Sequence, residues 1–183
     1  MGVSMVHITV SGHPGSGTST LVQGLADRFG WTTLNGGDIF RSEAKRRGLS
    51  LHDFELLCKD DESVDRSLDI LLQERMVGDA SLHVVESRLA GWWAHRQAID
   101  CLRIWLDVTP EERARRVVTR EGLTHEEALA ANQLRIELDG ARFERMYGLA
   151  PEDPTPYTHI IEASTLSAHD ILEQVASLLE ATS

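Results

Sequence analysis

The run Ser11-Gly12-His13-Pro14-Gly15-Ser16-Gly17-Thr18-Ser19-Thr20 carries the spacing Gly-x-x-x-x-Gly-Lys-Ser/Thr at Gly12, Gly17 and Ser19, with Thr18 standing in the place of lysine. Glycines at this spacing let successive backbone N–H groups converge on an anion, and a helix starting directly afterwards adds its positive end. The chemistry is the cradling of a phosphate chain. Its candidate residues are Gly12, His13, Pro14, Gly15, Ser16, Gly17, Thr18, Ser19 and Thr20, with ATP as the expected donor nucleotide and Mg2+ held by the Ser19 hydroxyl. His13 is placed either to touch phosphate or to stay solvated. Glu86, at the end of a later apolar run, is a carboxylate able to order magnesium-bound water. Thr18 removes the usual loop cation, so the γ-phosphate charge needs another partner.

These residues require a strand to deliver the loop and a helix to receive it. Short apolar runs rich in β-branched residues at 6–11, 32–34, 82–86, 102–107 and 159–162 read as buried strands. Helical periodicity covers 18–29, 39–47, 62–77, 132–147 and 168–179, and a further helix opens at Pro110 with Glu111 and Glu112 in its first turn. Strands alternating with helices predict an α/β fold: three layers, with a five-stranded parallel sheet covered on both faces. The first loop sits between the first strand and the first helix, the context a phosphate loop needs.

One domain spanning 1–183 is the expectation for this length and its 42% hydrophobic content. Eighteen basic against twenty-nine acidic residues give a net charge of -11, which disfavours polymeric nucleic acid and anionic membranes as partners. The cations are uneven: eight of sixteen arginines lie between Arg103 and Arg145, which predicts one local anion site in an acidic shell. Arg113, Arg116 and Arg120 are spaced to share a helix face, as are Arg135 and Arg142 with Asp139 between them. Cys58 and Cys101 lack metal or redox spacing and read as reduced core thiols. No leader and no run of about 20 apolar residues is present, so a soluble cytoplasmic protein, expected to be a monomer, is the reading.

Gly36-Gly37-Asp38-Ile39-Phe40-Arg41 and Glu86-Ser87-Arg88-Leu89-Ala90-Gly91-Trp92 resemble the nucleoside monophosphate kinases, most closely the archaeal-type cytidylate kinases. The resemblance continues through Trp105-Leu106-Asp107, the arginines at 113, 116 and 120, Arg142-Phe143 and Tyr147-Gly148, and members of that branch often carry threonine at the loop lysine position. It implies a P-loop fold with a small acceptor-binding insertion at about 36–80 and a helical lid at about 120–142. It further implies that Arg41 and Arg88, with Gly37, Asp38 and Asp139, bind the acceptor monophosphate, while Arg116, Arg120, Arg135 and Arg142 act on the transferring phosphoryl group. The implied reaction moves a phosphoryl group from ATP to CMP or dCMP. A different small acceptor, or a non-catalytic nucleotide-binding module, stands as the alternative. After Asp65-Arg66 and Asp69 the related enzymes usually continue with two basic residues and a glutamine; here Ile70-Leu71-Leu72 precede Gln73, which leaves the base preference open. Trp92-Trp93 read either as a stacking platform for a base or as interior packing.

Overall fold

A computed structural model describes residues 5–181, and for Arg120 and Glu121 the backbone alone. The apolar runs become the strands β1 (Ile8–Gly12), β2 (Thr33–Asn35), β3 (Val84–Glu86), β4 (Leu102–Asp107) and β5 (His159–Glu162). They form one parallel sheet in the order β2-β3-β1-β4-β5, so the chain leaves β1 first towards one edge and later towards the other. A parallel sheet opens a crevice at the carboxyl ends of its strands where the order reverses, and here that point is the end of β1.

The helices are α1 (Thr18–Phe29), α2 (Gly36–Arg46), α3 (Leu51–Asp60), α4 (Glu62–Gly78), α5 (Ala90–Arg96), α6 (Pro110–Glu121), α7 (His125–Tyr147) and α8 (Ala168–Ala181). Successive strand side chains point to opposite faces, so Val84 joins one core and Val85 the other. On the first face Leu21, Val22 and Leu25 of α1 and Ile171, Val175 and Leu179 of α8 bury Ile8, Val10, Ile104 and Leu106. On the second, Leu89, Ala90, Trp93 and Ala94 pack with Leu72, Met76 and Phe143. The expected three-layer parallel fold is therefore present, and among the described residues no helix is long and apolar enough to cross a membrane.

Four helix readings need correction. The helix expected at 39–47 opens at Gly36, because Asn35 caps it reciprocally with Asp38 and overrides the two glycines in the first turn. The helix expected at 132–147 begins at His125 through a similar box between Thr124 and Glu127. α3 was not anticipated: Ser50 caps it, but Phe54 is its single buried residue, too weak a stripe to register. α5 was also missed, since its seven residues are nearly all apolar and show no periodicity. Trp93 lies buried edge-on to Tyr147, and Trp92 Nε1 donates to the Ala150 carbonyl at 2.9 Å, so both tryptophans pack rather than present a platform. Cys58 and Cys101 are free and half-buried, and burial pushes the Cys101 thiol up to about 11.

α4 and α7 meet through polar contacts. Tyr147 Oη donates to Asp69 Oδ2 at 2.7 Å, and Arg66 reaches the Met146 carbonyl at 3.1 Å while lying over the Tyr147 ring. Burial outweighs the Tyr147 bond and raises the Asp69 carboxyl to about 6. An acid raised on folding contributes most stability below its unfolded pKa and loses it as pH climbs to the folded one. Asp69→Asn keeps the acceptor for Tyr147 but cannot ionise. Urea unfolding should therefore show the variant gaining on the wild type between pH 4 and 6, by at most about 3 kcal/mol, with no further gain above pH 7. Gly91 makes a second test of packing, because a Cβ there would stand 2.9 Å from Tyr157 Cδ1 and closer still to Cε1. Gly91→Ala should lower stability by about 1–3 kcal/mol in the same assay.

Candidate active site

The loop leaves β1 at Gly12 and enters α1 at Thr18. Gly15 and Gly17 take φ of 85° and 89°, a region open mainly to glycine, and a Cβ on Gly15 would come within 2.8 Å of the Arg113 carbonyl. Gly17 caps α1 without a side-chain hydrogen bond, so the first-turn amides keep their donors for a ligand. Ser16 Oγ is buried and lacks a partner. An orphaned hydroxyl and a helix start free of capping side chains fit a bound phosphate chain.

Three guanidinium groups grip this loop from outside. Arg88 Nη1 donates to Gly12 O at 3.2 Å, Arg113 Nη1 to Pro14 O at 3.5 Å and Arg116 Nη1 to Ser16 O at 2.9 Å. The acceptors are alternate residues, so the loop's carbonyls are satisfied by the protein itself, and Ser16 N–H donates back to His13 O at 3.1 Å. Arg113, which spacing alone left unassigned, is 4% exposed and also bonds Val108 O at 3.1 Å. Burial works against its charge and Asp107 is the chief offset, yet a guanidinium stays protonated in a protein. Arg116 engages all three of its nitrogens, with Glu112 at 2.8 Å and Ala163 O at 2.7 Å as its other partners. In this arrangement Arg116 braces the loop at Ser16 and ties it to the end of β5 through Ala163.

Facing the loop from β3, Glu86 Oε1 accepts from Thr18 Oγ1 at 2.6 Å and from Ser19 Oγ at 2.9 Å. Among the described residues no three His, Cys, Asp or Glu converge on a metal position, so a cation here would rely on Ser19, Glu86 and phosphate oxygens together. His13 does not replace the missing lysine. Its ring sits edge-on to Trp105, 5.0 Å between centroids, and burial, with Arg113 and Arg88 nearby, holds it below its ordinary pKa and therefore neutral. A cavity of 250 Å³ next to the phosphate loop has an apolar side of Leu21, Leu166, Ala168 and Ile171 and a charged side of Glu112, Arg115 and Arg116. Leu166 and Ala168 carry no sequence signal, since only the return of the chain after β5 brings them there.

On the other side of the loop, Arg41 pairs with Asp38 at 2.6 Å and remains 57% exposed, its Nη1 within 3.1 Å of where a Gly37 Cβ would stand. Arg88 Nε faces Asp139 at 3.4 Å without hydrogen-bond geometry and is buried with no bonded partner. From Asp139 the contacts run on to Arg142 at 3.5 Å and from Arg142 to Asp65 at 3.3 Å, and Arg142 Nε is a second orphaned donor. Arg88, Asp139 and Arg142 are thus brought together. Arg135 is exposed on α7, with no ion pair among the described residues, yet lies near enough for its charge to act against that of Arg88. The Arg120 side chain lies outside the described residues. Arg115 and Arg145 are surface partners of Glu112 and Glu62.

A family model described as an AAA domain matches residues 11–130. A cytidylate kinase of Halobacterium salinarum is 41% identical over 82% of this chain and 77% of its own length. Those of Methanocorpusculum labreanum and Archaeoglobus fulgidus are 32% and 30% identical, over 96% and 94% of this chain and 99% and 94% of their own. Among solved structures, a shikimate kinase from Bacteroides thetaiotaomicron superposes with a TM-score of 0.60 at 16% identity, covering 96% of this chain and 98% of its own, a likeness of fold alone. A sheet ordered β2-β3-β1-β4-β5, a braced phosphate loop at its switch point and this degree of identity along nearly the whole length lead to one conclusion: the chain belongs to the archaeal cytidylate kinases, nucleoside monophosphate kinases of the P-loop type.

Proposed function

We propose that this nucleoside monophosphate kinase transfers the γ-phosphoryl group of ATP to CMP or dCMP with Mg2+. The observation that carries the reading is the position of Arg88, whose Nη1 bonds the donor loop at Gly12 while its Nε lies buried and unpartnered beside Asp139. One guanidinium then serves both phosphates.

The donor's phosphates lie along the loop from Gly12 to Thr20, with the base in the slot beside Arg116 and Leu166. Ser19 and Glu86 are the residues that would hold Mg2+, and the ion would supply charge neutralisation at the donor phosphates. Arg41 and Arg88 hold the acceptor phosphate, a task suited to the planar fork of a guanidinium. Arg41 is now tied to Asp38, an exposed pair that a phosphate dianion can displace at little cost. Gly37 leaves room for that exchange. Arg142, with Arg135 and Arg120 moving on the lid formed by the end of α6 and the start of α7, closes over the transferring group and excludes water. No general base is required, because the acceptor phosphate is already anionic near neutral pH. The acceptor region spans about 36–80 and the lid about 120–142, both within one kinase unit.

A second reading, a different small acceptor, rests on α4. Ile70 is 48% exposed where related enzymes usually carry a basic residue, so this helix offers a base fewer polar contacts. Incubation with ATP, Mg2+ and each ribo- and deoxynucleoside monophosphate, with ADP and phosphorylated acceptor measured, separates the readings. CMP- or dCMP-dependent turnover is expected; failure with every monophosphate despite ATP binding would overturn the proposal.

Arg41→Ala should raise the acceptor KM by about tenfold to a hundredfold, the cost of one charge-assisted bidentate contact. ATP affinity, read by calorimetry, should stay nearly unchanged. A collapse of ATP binding in that variant would place Arg41 on the donor side instead.

A further inference from the structure

Thr18 occupies the position from which a loop lysine reaches the donor phosphates, and its side chain is turned elsewhere. Its Oγ1 donates to Glu86 Oε1 at 2.6 Å, while its Cγ2 stands only 3.1 Å from where a Cβ on Gly12 would be. A β-branched side chain has few rotamers in a helix. With the methyl seated against Gly12 and the hydroxyl on the carboxylate, the rotamer is held at both ends. Ser19 Oγ donates to the same oxygen at 2.9 Å. Both hydroxyls thus hold one oxygen of Glu86, and Oε2 keeps no hydrogen-bond partner among the described residues.

We infer that Thr18 is a positioning residue for Glu86: it fixes the carboxylate so that its second oxygen is directed at metal-bound water, and it makes no contact with phosphate itself. The inference rests on the magnesium–nucleotide reading of the loop given above and deepens it. It explains why the loop can do without lysine. Charge near the phosphates comes from the guanidinium groups bonded to Gly12 O, Pro14 O and Ser16 O, so the position is free to serve the metal instead. A lysine here would bring an ammonium against Glu86 and compete with the metal for that carboxylate.

The test is a binding measurement without turnover. ATP affinity is measured by calorimetry in EDTA and again in Mg2+, and the ratio gives the metal-dependent gain. Thr18→Val keeps the methyl and the shape but removes the donor; Thr18→Ser keeps the donor. The valine variant should bind ATP in EDTA as the wild type does but lose roughly tenfold of the metal-dependent gain, in keeping with a lost hydrogen bond to a charged group. The serine variant should keep that gain within about threefold. In a Glu86→Gln background, Thr18→Val should add nothing further, as expected of two groups acting as one. An intact gain in Thr18→Val overturns this inference alone. An equal loss with and without metal also overturns it, by making Thr18 a phosphate ligand. Absence of any metal-dependent gain in the wild type overturns the magnesium–nucleotide reading and this inference together.

Discussion

Everything at the site depends on how the phosphate-loop backbone is held. Arg88, from the segment after β3, and Arg113 and Arg116, both on α6, take the carbonyls of Gly12, Pro14 and Ser16. Bonds to alternate carbonyls restrict the peptide planes of the loop. Such preorganisation removes part of the ordering cost of binding. The same contacts bring three positive charges against the loop backbone. Carbonyl-bonded arginines are a different use of cations from a lysine pointing into the site, and they suit a loop whose one histidine is half-buried and held below its ordinary pKa by burial.

Arg88 links this cradle to the rest of the molecule. Through Asp139 and Arg142 it connects the phosphate loop to α7 and then to Asp65 on α4. All four side chains are at least partly buried, and two guanidinium Nε donors within the chain have no partner. Buried unpaired donors are costly, commonly about 1–3 kcal/mol each. Each of the two guanidinium groups nonetheless keeps an ion-pair contact with Asp139. An overall charge of -11 does not oppose phosphate binding here, since the acidic residues lie mostly on solvated helix faces and are screened within about 10 Å.

Much of this was legible along the chain. The glycine spacing from Gly12 to Gly17, the hydroxyl at Ser19 and the β-branched runs each follow from local rules, and so did the parallel sheet. Helix starts were less legible where capping boxes worked against composition, as at Asn35 with two glycines behind it and at Thr124 ahead of a polar first turn. α3 escaped because one phenylalanine, Phe54, does the burying for ten residues. Arg113 was visible as one member of a helical arginine stripe that leaves out the surface residue Arg115, but nothing local showed that it would be buried against the loop.

The sequence by itself determined what the loop binds and on what kind of sheet it sits, because backbone conformation at glycine and period-two burial are properties of neighbouring residues. Which arginine does what was decided only by tertiary structure. A guanidinium acquires its role from a partner about a hundred residues away, as Arg116 does from Ser16 and Arg113 from Pro14. The task of Thr18 was hidden for the same reason. Its departure from the lysine pattern could be read at once, but the carboxylate that gives its hydroxyl a purpose arrives from β3, brought alongside by strand pairing and not by proximity in sequence.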